Sequence, residues 1–89
     1  MYSVYIVECK DGRLYTGIAR DVEARFGLHA SGKGARFTRA NKPVRIVYQE
    51  RKRTRSSALK REYAIKQLTH MEKIALAEKL HFVATGKKE

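Results

Sequence analysis

Residues 3–17, SVYIVECKDGRLYTG, constrain this chain more than any other stretch. Two runs rich in β-branched and aromatic residues flank an Asp-Gly pair, a pattern that reads as an antiparallel hairpin. Residues 2–8 form the first strand of that reading and residues 13–18 the second. Two registers are open. A two-residue turn at Asp11-Gly12 sets Tyr15 against Glu8 and sends Tyr5 and Tyr15 to opposite faces. A three-residue loop over residues 10–12, with Gly12 left-handed as a bulge, sets Tyr15 against Val7 and puts both phenols on one face.

Beyond the hairpin, Asp21 caps a helix whose apolar stripe is Val22, Phe26 and His29, spaced i, i+4, i+7. It ends before Ser31-Gly32-Lys33-Gly34, a flexible basic loop. Pro43 opens a third strand, VRIVYQE, in which a period of two places Val44, Ile46 and Tyr48 together. Ser56 or Ser57 caps a second helix running to about Leu68, and Thr69 caps a third, MEKIALAEKL. No internal repeat is visible. The class is α+β: a small antiparallel sheet with helices packed on it, one domain over residues 1–80 and a flexible C-terminal tail over residues 81–89. With 89 residues the core is thin.

Charge narrows the partner. Lys and Arg number 20 against 9 Asp and Glu, for a net +11. Residues 32–61 carry eleven of those cations against Glu50 alone, so nearly all of the excess sits in one third of the chain. A solvated face accounts for some of this, but so concentrated a field attracts polyanions and releases counterions on contact. Nucleic acid is the expected partner. A membrane surface would call for a basic amphipathic helix with a broad apolar face, which the segment lacks. The single cysteine, Cys9, can form no internal disulfide. Together with three scattered histidines, at 29, 70 and 81, it offers no zinc-ligand spacing. The start carries no basic leader or cleavage site, and no apolar run is long enough to span a bilayer. The expectation is a soluble cytoplasmic protein.

Two charged residues stand out. In the second helix Ala58, Leu59, Tyr63 and Ile65 define an apolar arc with Glu62 near its middle. A carboxylate there needs a cation beside it or a cleft to face. Either a salt bridge to an arginine or a metal ligand meets that need, since Mg²⁺ often takes only one or two protein carboxylates. In the first helix Arg25 lies at the edge of the stripe, where it either snorkels to solvent or offers its planar fork to a phosphate. His29, one turn further on, needs no function as a packed or surface residue.

Taken in order, Val4-Tyr5 in the first strand, Tyr15-Thr16-Gly17 in the second, Arg25 within DVEARFGLH, the loop SGKGARFTRA and Glu62 within LKREYAIKQL resemble the GIY-YIG nuclease superfamily. The likeness covers roughly residues 1–80 and is greatest to its small single-domain bacterial branch. It implies metal-dependent hydrolysis of phosphodiester bonds in DNA on a three-stranded antiparallel sheet flanked by helices, with no small-molecule cofactor. Glu62 would hold one Mg²⁺ or Mn²⁺ that neutralises the scissile phosphate and the leaving 3′ oxygen. Arg25 would clamp the phosphate, Tyr15 would orient or deprotonate the attacking water, and Tyr5 would be the second phenol of the network. His29 falls where some relatives have a contributing histidine. Where some relatives carry a lysine after the second motif this chain has Ile18, and in place of a late asparagine the nearest polar residue is Lys66, which is expected to contact the nucleic acid. The chemistry of this site asks for both phenols on one face, so the three-residue loop is the predicted register.

No second domain selects the target. Selectivity falls to the arginine-rich stretch before the second helix and to residues 31–42, where Lys33, Arg36 and Arg39 supply charge and Phe37 either stacks on an unpaired base or packs the loop. With no helix available to read a groove, single-stranded or branched DNA is the expected substrate. The alternative is a non-catalytic DNA- or RNA-binding module that keeps the fold. A carboxylate at Glu62 argues against it, because without a metal that group repels phosphate.

Overall fold

A computed structural model describes residues 1–31 and 41–87, with side chains at all of these except 29–30 and 79–87. Among them run β1 (Tyr2–Cys9), β2 (Leu14–Ala19), α1 (Val22–Ala30), β3 (Pro43–Lys52), α2 (Arg55–Lys66) and α3 (His70–Lys87). The strands pair antiparallel in the order β2-β1-β3, which makes β1 the central strand and leaves β2 at one edge. The fold is the expected α+β sheet of three strands flanked by helices.

The hairpin takes the three-residue loop. The Cys9 N–H donates to the Arg13 carbonyl at 2.8 Å, and the Gly12 N–H to the Cys9 carbonyl at 2.9 Å. Gly12 has φ 89°, a conformation that costs a side-chain-bearing residue energy and costs glycine little. Asp11 locks the loop, accepting from the Arg13 N–H at 2.9 Å, from Arg13 Nε at 2.6 Å and from the Asn41 amide. Val7 consequently faces Tyr15 and Tyr5 faces Gly17. Both phenols project from one face of the sheet.

Burial on both faces explains why β1 reads as an almost unbroken apolar run. Val4 and Ile6 pack with Tyr48 of β3 and with Ala58 and Ile65 of α2, and Leu76 and Ala77 of α3 close that side. Tyr5, Val7 and Cys9 pack with Ala19, Val22 and Phe26, so α1 covers the opposite face. Each fully buried aliphatic side chain in these two thin layers contributes about 1.5–3 kcal/mol.

Several sequence expectations shift. Val44, Ile46 and Tyr48 do not share a face: Tyr48 joins the α2 side, Ile46 the α1 side, and Val44 is exposed. Register irregularities opposite Ile6/Val7 and Glu8/Cys9 interrupt the period of two. The cap of α2 is Thr54, not Ser56 or Ser57. Thr54 is extended (φ −123°, ψ 157°), and its hydroxyl accepts from the Ser57 N–H at 3.1 Å, so Ser57 lies inside the first turn. Leu59 and Tyr63 are exposed, the latter by 68 %, while Ala58 and Ile65 are fully buried. The helix is thus rotated from the apolar arc, and Glu62 stands on the flank of the packed face rather than in its middle. Arg61 makes that rotation possible. Its Nε donates to Glu50 at 2.9 Å, while Lys52 Nζ lies 2.7 Å from the same carboxylate and the Tyr48 hydroxyl donates to it. A satisfied charge cluster therefore occupies a position that polarity alone assigns to solvent.

Thr69 does cap α3. Its hydroxyl accepts from the Glu72 N–H at 3.1 Å, and the Glu72 carboxylate accepts from the Thr69 N–H at 2.8 Å, a reciprocal capping box. The backbone is helical to Lys87, through most of the stretch assigned to the tail. No helix of the described residues is long and apolar enough to cross a membrane.

Candidate active site

The site begins with one close approach. Tyr5, on the central strand, lays its ring across Gly17 on the neighbouring edge strand. A Cβ at position 17 would fall 2.6 Å from the Tyr5 Oη and 2.8 Å from its Cζ, well inside contact distance. Only glycine leaves room for the phenol to reach across β2. Burial is nearly complete, with Tyr5 1 % exposed. Desolvation, reinforced by Tyr15 and Glu62 and opposed by Arg25, pushes its phenol up to about 12.

Those influences reveal the neighbourhood. Tyr15 from β2, Arg25 from α1 and Glu62 from α2 all lie near enough to act on the Tyr5 phenol. Three elements on two sides of the sheet thus converge at the outer edge of β2, because α1 and α2 pack on opposite faces and β2 is the strand between them. Tyr15 is half-buried and Arg25 exposed. The Glu62 side chain is 18 % exposed, and Lys66 Nζ, one turn on, lies 3.3 Å from its Oε2. Lys66 is half exposed, so solvent screens this pair and a stronger cation can displace it. Ile18 turns to the α2 side of the sheet, away from both tyrosines.

The remaining expected residues are placed less fully. His29 follows Arg25 by one turn of α1, and its side chain lies outside the described residues. Lys33, Arg36, Phe37 and Arg39 also lie outside them.

Among the described residues no group of three or more His, Cys, Asp or Glu side chains converges to hold a metal. Glu62 is a hard oxygen donor, of the kind suited to a cation whose other positions are filled by water and phosphate oxygens.

One arginine, Arg20, escaped the sequence reading, and a second, Arg55, figured there only as part of the arginine-rich stretch before the second helix. Where β2 runs into α1, an open groove of about 520 Å³ is lined by Tyr2, Arg20, Arg25 and Arg55, among others. Arg20 and Arg55 belong to no motif and are two among 20 cations. Only the folding of β2, α1 and α2 onto one edge distinguishes them.

Comparison with known proteins agrees with this geometry. Residues 1–75 match the family model described as the GIY-YIG catalytic domain. The chain is 53 % identical over 75 residues to a UPF0213 protein of Staphylococcus epidermidis, covering 84 % of this chain and 92 % of that one. It is 55 % identical over 73 residues to a UPF0213 protein of Staphylococcus aureus, covering 82 % and 89 %. Its structure is similar to the solution NMR structure of a UPF0213 protein from Bacillus halodurans, with TM-score 0.55, 43 % identity and coverage of 88 % and 84 %. It is also similar to the solution NMR structure of a protein from E. faecalis, with TM-score 0.61, 33 % identity and coverage of 91 % and 86 %. A three-stranded sheet with two phenols on one face, and a family model spanning most of its length, establish that the chain belongs to the GIY-YIG catalytic-domain family, a family of nucleases.

Proposed function

We propose that this protein is a metal-dependent DNA endonuclease that hydrolyses phosphodiester bonds, acting on single-stranded or branched DNA. The observation that carries the reading is the convergence of Tyr15, Arg25 and Glu62 on the buried Tyr5 phenol at the β2 edge. A structural ion pair explains a partly buried glutamate, but not why Tyr15 and Arg25 also lie within electrostatic reach of the same phenol.

Each residue has a role in keeping with its surroundings. Glu62 would hold Mg²⁺ or Mn²⁺, which when bound supplies positive charge at the scissile phosphate and the leaving oxygen. Arg25, exposed and permanently charged, clamps a non-bridging phosphate oxygen through its planar fork. Tyr5 keeps its proton across the neutral range, so it is a fixed hydrogen-bond donor and not a base. That leaves Tyr15, the less buried phenol, to orient or deprotonate the water whose oxygen bonds to phosphorus as the bond to the 3′ oxygen breaks, the proton lost by the water being matched by one gained by the departing oxygen. Lys66 holds the Glu62 carboxylate in place until the cation takes it over. His29 is assigned a supporting part beside Arg25, and Lys33, Arg36, Phe37 and Arg39 are assigned to the DNA strand outside the cleft.

The reading is tested by incubating purified protein with single-stranded, duplex and branched DNA, with Mg²⁺, with Mn²⁺ and with chelator. Cutting that needs the metal and favours the single-stranded or branched substrates supports it. Binding without cutting on every substrate would return the chain to the class of nucleic-acid-binding modules.

A further inference from the structure

The groove where β2 meets α1 carries charge that the proposed chemistry does not use. Arg25 lines it and is assigned to the reaction, whereas Arg20 and Arg55, which line it too, have no part in the proposed chemistry. They arrive from separate parts of the chain, one after the end of β2 and one in the first turn of α2. Arg20 is held in place: its Nη2 donates to the Tyr2 hydroxyl at 3.2 Å, and its guanidinium carbon lies 5.1 Å from the centre of the Tyr2 ring. This uses one of about five N–H donors and leaves the others for a ligand. One acidic residue, Asp21, also lines the groove. Its Oδ1 accepts from the Ala24 N–H at 3.1 Å, capping α1, and three guanidinium groups outweigh its charge.

The groove and the catalytic edge form one track. At ~100° per residue Arg55, Glu62 and Lys66 fall within about 40° of each other on α2, a single stripe facing the β2 edge. Arg55 precedes Glu62 by about 10 Å along the helix axis. A volume near 520 Å³ is of the size that accepts one small ligand, so the groove has room for a single sugar–phosphate unit.

We infer that the Tyr2–Arg20–Arg55 groove is a second phosphate subsite, which binds the backbone of the DNA strand next to the scissile phosphate and threads it as a single strand past Glu62. The inference rests on the nuclease reading for the direction of the strand, but the affinity of the groove for a strand can be measured without any cutting. The subsite gives the domain a means to select single strands at their backbone.

The test measures binding of a mixed-sequence, labelled single-stranded oligodeoxynucleotide by fluorescence anisotropy, without divalent metal, over a series of salt concentrations. The variants are Arg20→Ala/Arg55→Ala, the milder Arg20→Lys and Arg55→Gln, and a control, Lys10→Ala/Lys60→Ala, that removes equal charge outside the groove. Circular dichroism and thermal melting establish that each variant is folded. The double groove variant is expected to bind at least about tenfold more weakly, with the salt slope reduced by about 1.4, two single-strand phosphate contacts. The control is expected to move much less, and Arg55→Gln, at an exposed site, is expected to fall between. Equal losses in the groove and control variants would overturn the subsite, as would failure of the unmodified protein to bind the strand. If the groove variants lose binding while the unmodified protein cuts no substrate, the subsite stands and the nuclease reading falls. If the protein cuts and the groove variants bind and cut as before, only the subsite falls.

Discussion

The Tyr5 phenol lies across Gly17, and nothing larger than a hydrogen fits between them. A Cβ at position 17 would come within 2.6 Å of Oη and 2.8 Å of Cζ, and Tyr5, fully enclosed, has nowhere to retreat. Gly17→Ala is therefore expected to destabilise the fold by about 1–3 kcal/mol, as overpacking does. The ring must also shift, so cutting is expected to fall by about 10–100-fold. Denaturant titration and cleavage assays measure the two effects separately. Unchanged stability and unchanged cutting would mean that the ring does not occupy this position.

Tyr5 is expected to remain un-ionised far above the ordinary range for a phenol. Its pKa is raised by burial to about 12, so the folded state holds a proton that the unfolded chain gives up near 10. That contribution to stability is complete below pH 10 and is lost as pH rises through about 12. Tyr48 is also raised, by its own burial and by its hydrogen bond to Glu50, so bulk absorbance cannot separate the two. NMR of protein labelled at tyrosine Cζ, with Tyr5→Phe to assign the resonance, resolves them. Ionisation of Tyr5 at or below pH 10 would restore it as a candidate base.

Glu50 makes the protein acid-sensitive. Desolvation by burial alone would raise its pKa, but hydrogen bonds from Lys52, Tyr48 and Arg61 outweigh that and lower it from 4.5 to about 2. The stability this contributes is present above pH 4.5 and is lost as pH falls toward 2. In Glu50→Gln the acid-dependent slope over that window is expected to shrink, and stability at neutral pH to drop by about 1–3 kcal/mol, because Arg61 and Lys52 lose their shared partner. Urea titrations from pH 7 to pH 3 measure both. The same slope in both proteins would place the acid sensitivity elsewhere.

The rotation of α2 has an equally direct consequence. Ile65 is fully buried and Tyr63 is 68 % exposed, although both belong to the apolar arc read from the sequence. Ile65→Ala is expected to cost about 2–5 kcal/mol and Tyr63→Ala about 0.5 kcal/mol or less. Comparable losses in the two would restore the unrotated helix.

Legibility in the sequence tracked how local each cause was. The hairpin was readable because Gly12 and the spacing of Tyr5 and Tyr15 leave two registers, and the requirement for both phenols on one face chooses between them. The Thr69 cap of α3 was readable because both of its hydrogen bonds join residues three apart. Thr54 was passed over because Ser56 and Ser57 offered the same chemistry two residues later. The alternation in β3 misled because its bulges are set by pairing with β1, which the strand's own residues do not report. The face of α2 misled because the partner that allows Arg61 to pack inward is Glu50, eleven residues away on another element. Glu62 and Arg25 stood out as charges on or beside apolar stripes, while Arg20, and the place of Arg55 within its arginine-rich stretch, acquire meaning only once three elements meet at the β2 edge.

In the proposed site Glu62, within electrostatic reach of Tyr5 together with Tyr15 and Arg25, is the carboxylate on which cutting depends. The most direct measurement compares Glu62→Ala with the unmodified protein for cleavage with Mg²⁺ or Mn²⁺ and, in parallel, for DNA binding. Loss of cutting with binding retained or tighter is the expected result, because removing the carboxylate removes the metal's ligand and a repulsion toward phosphate together. Cleavage by Glu62→Ala at the rate of the unmodified protein, on any substrate of the panel, would remove Glu62 from the site.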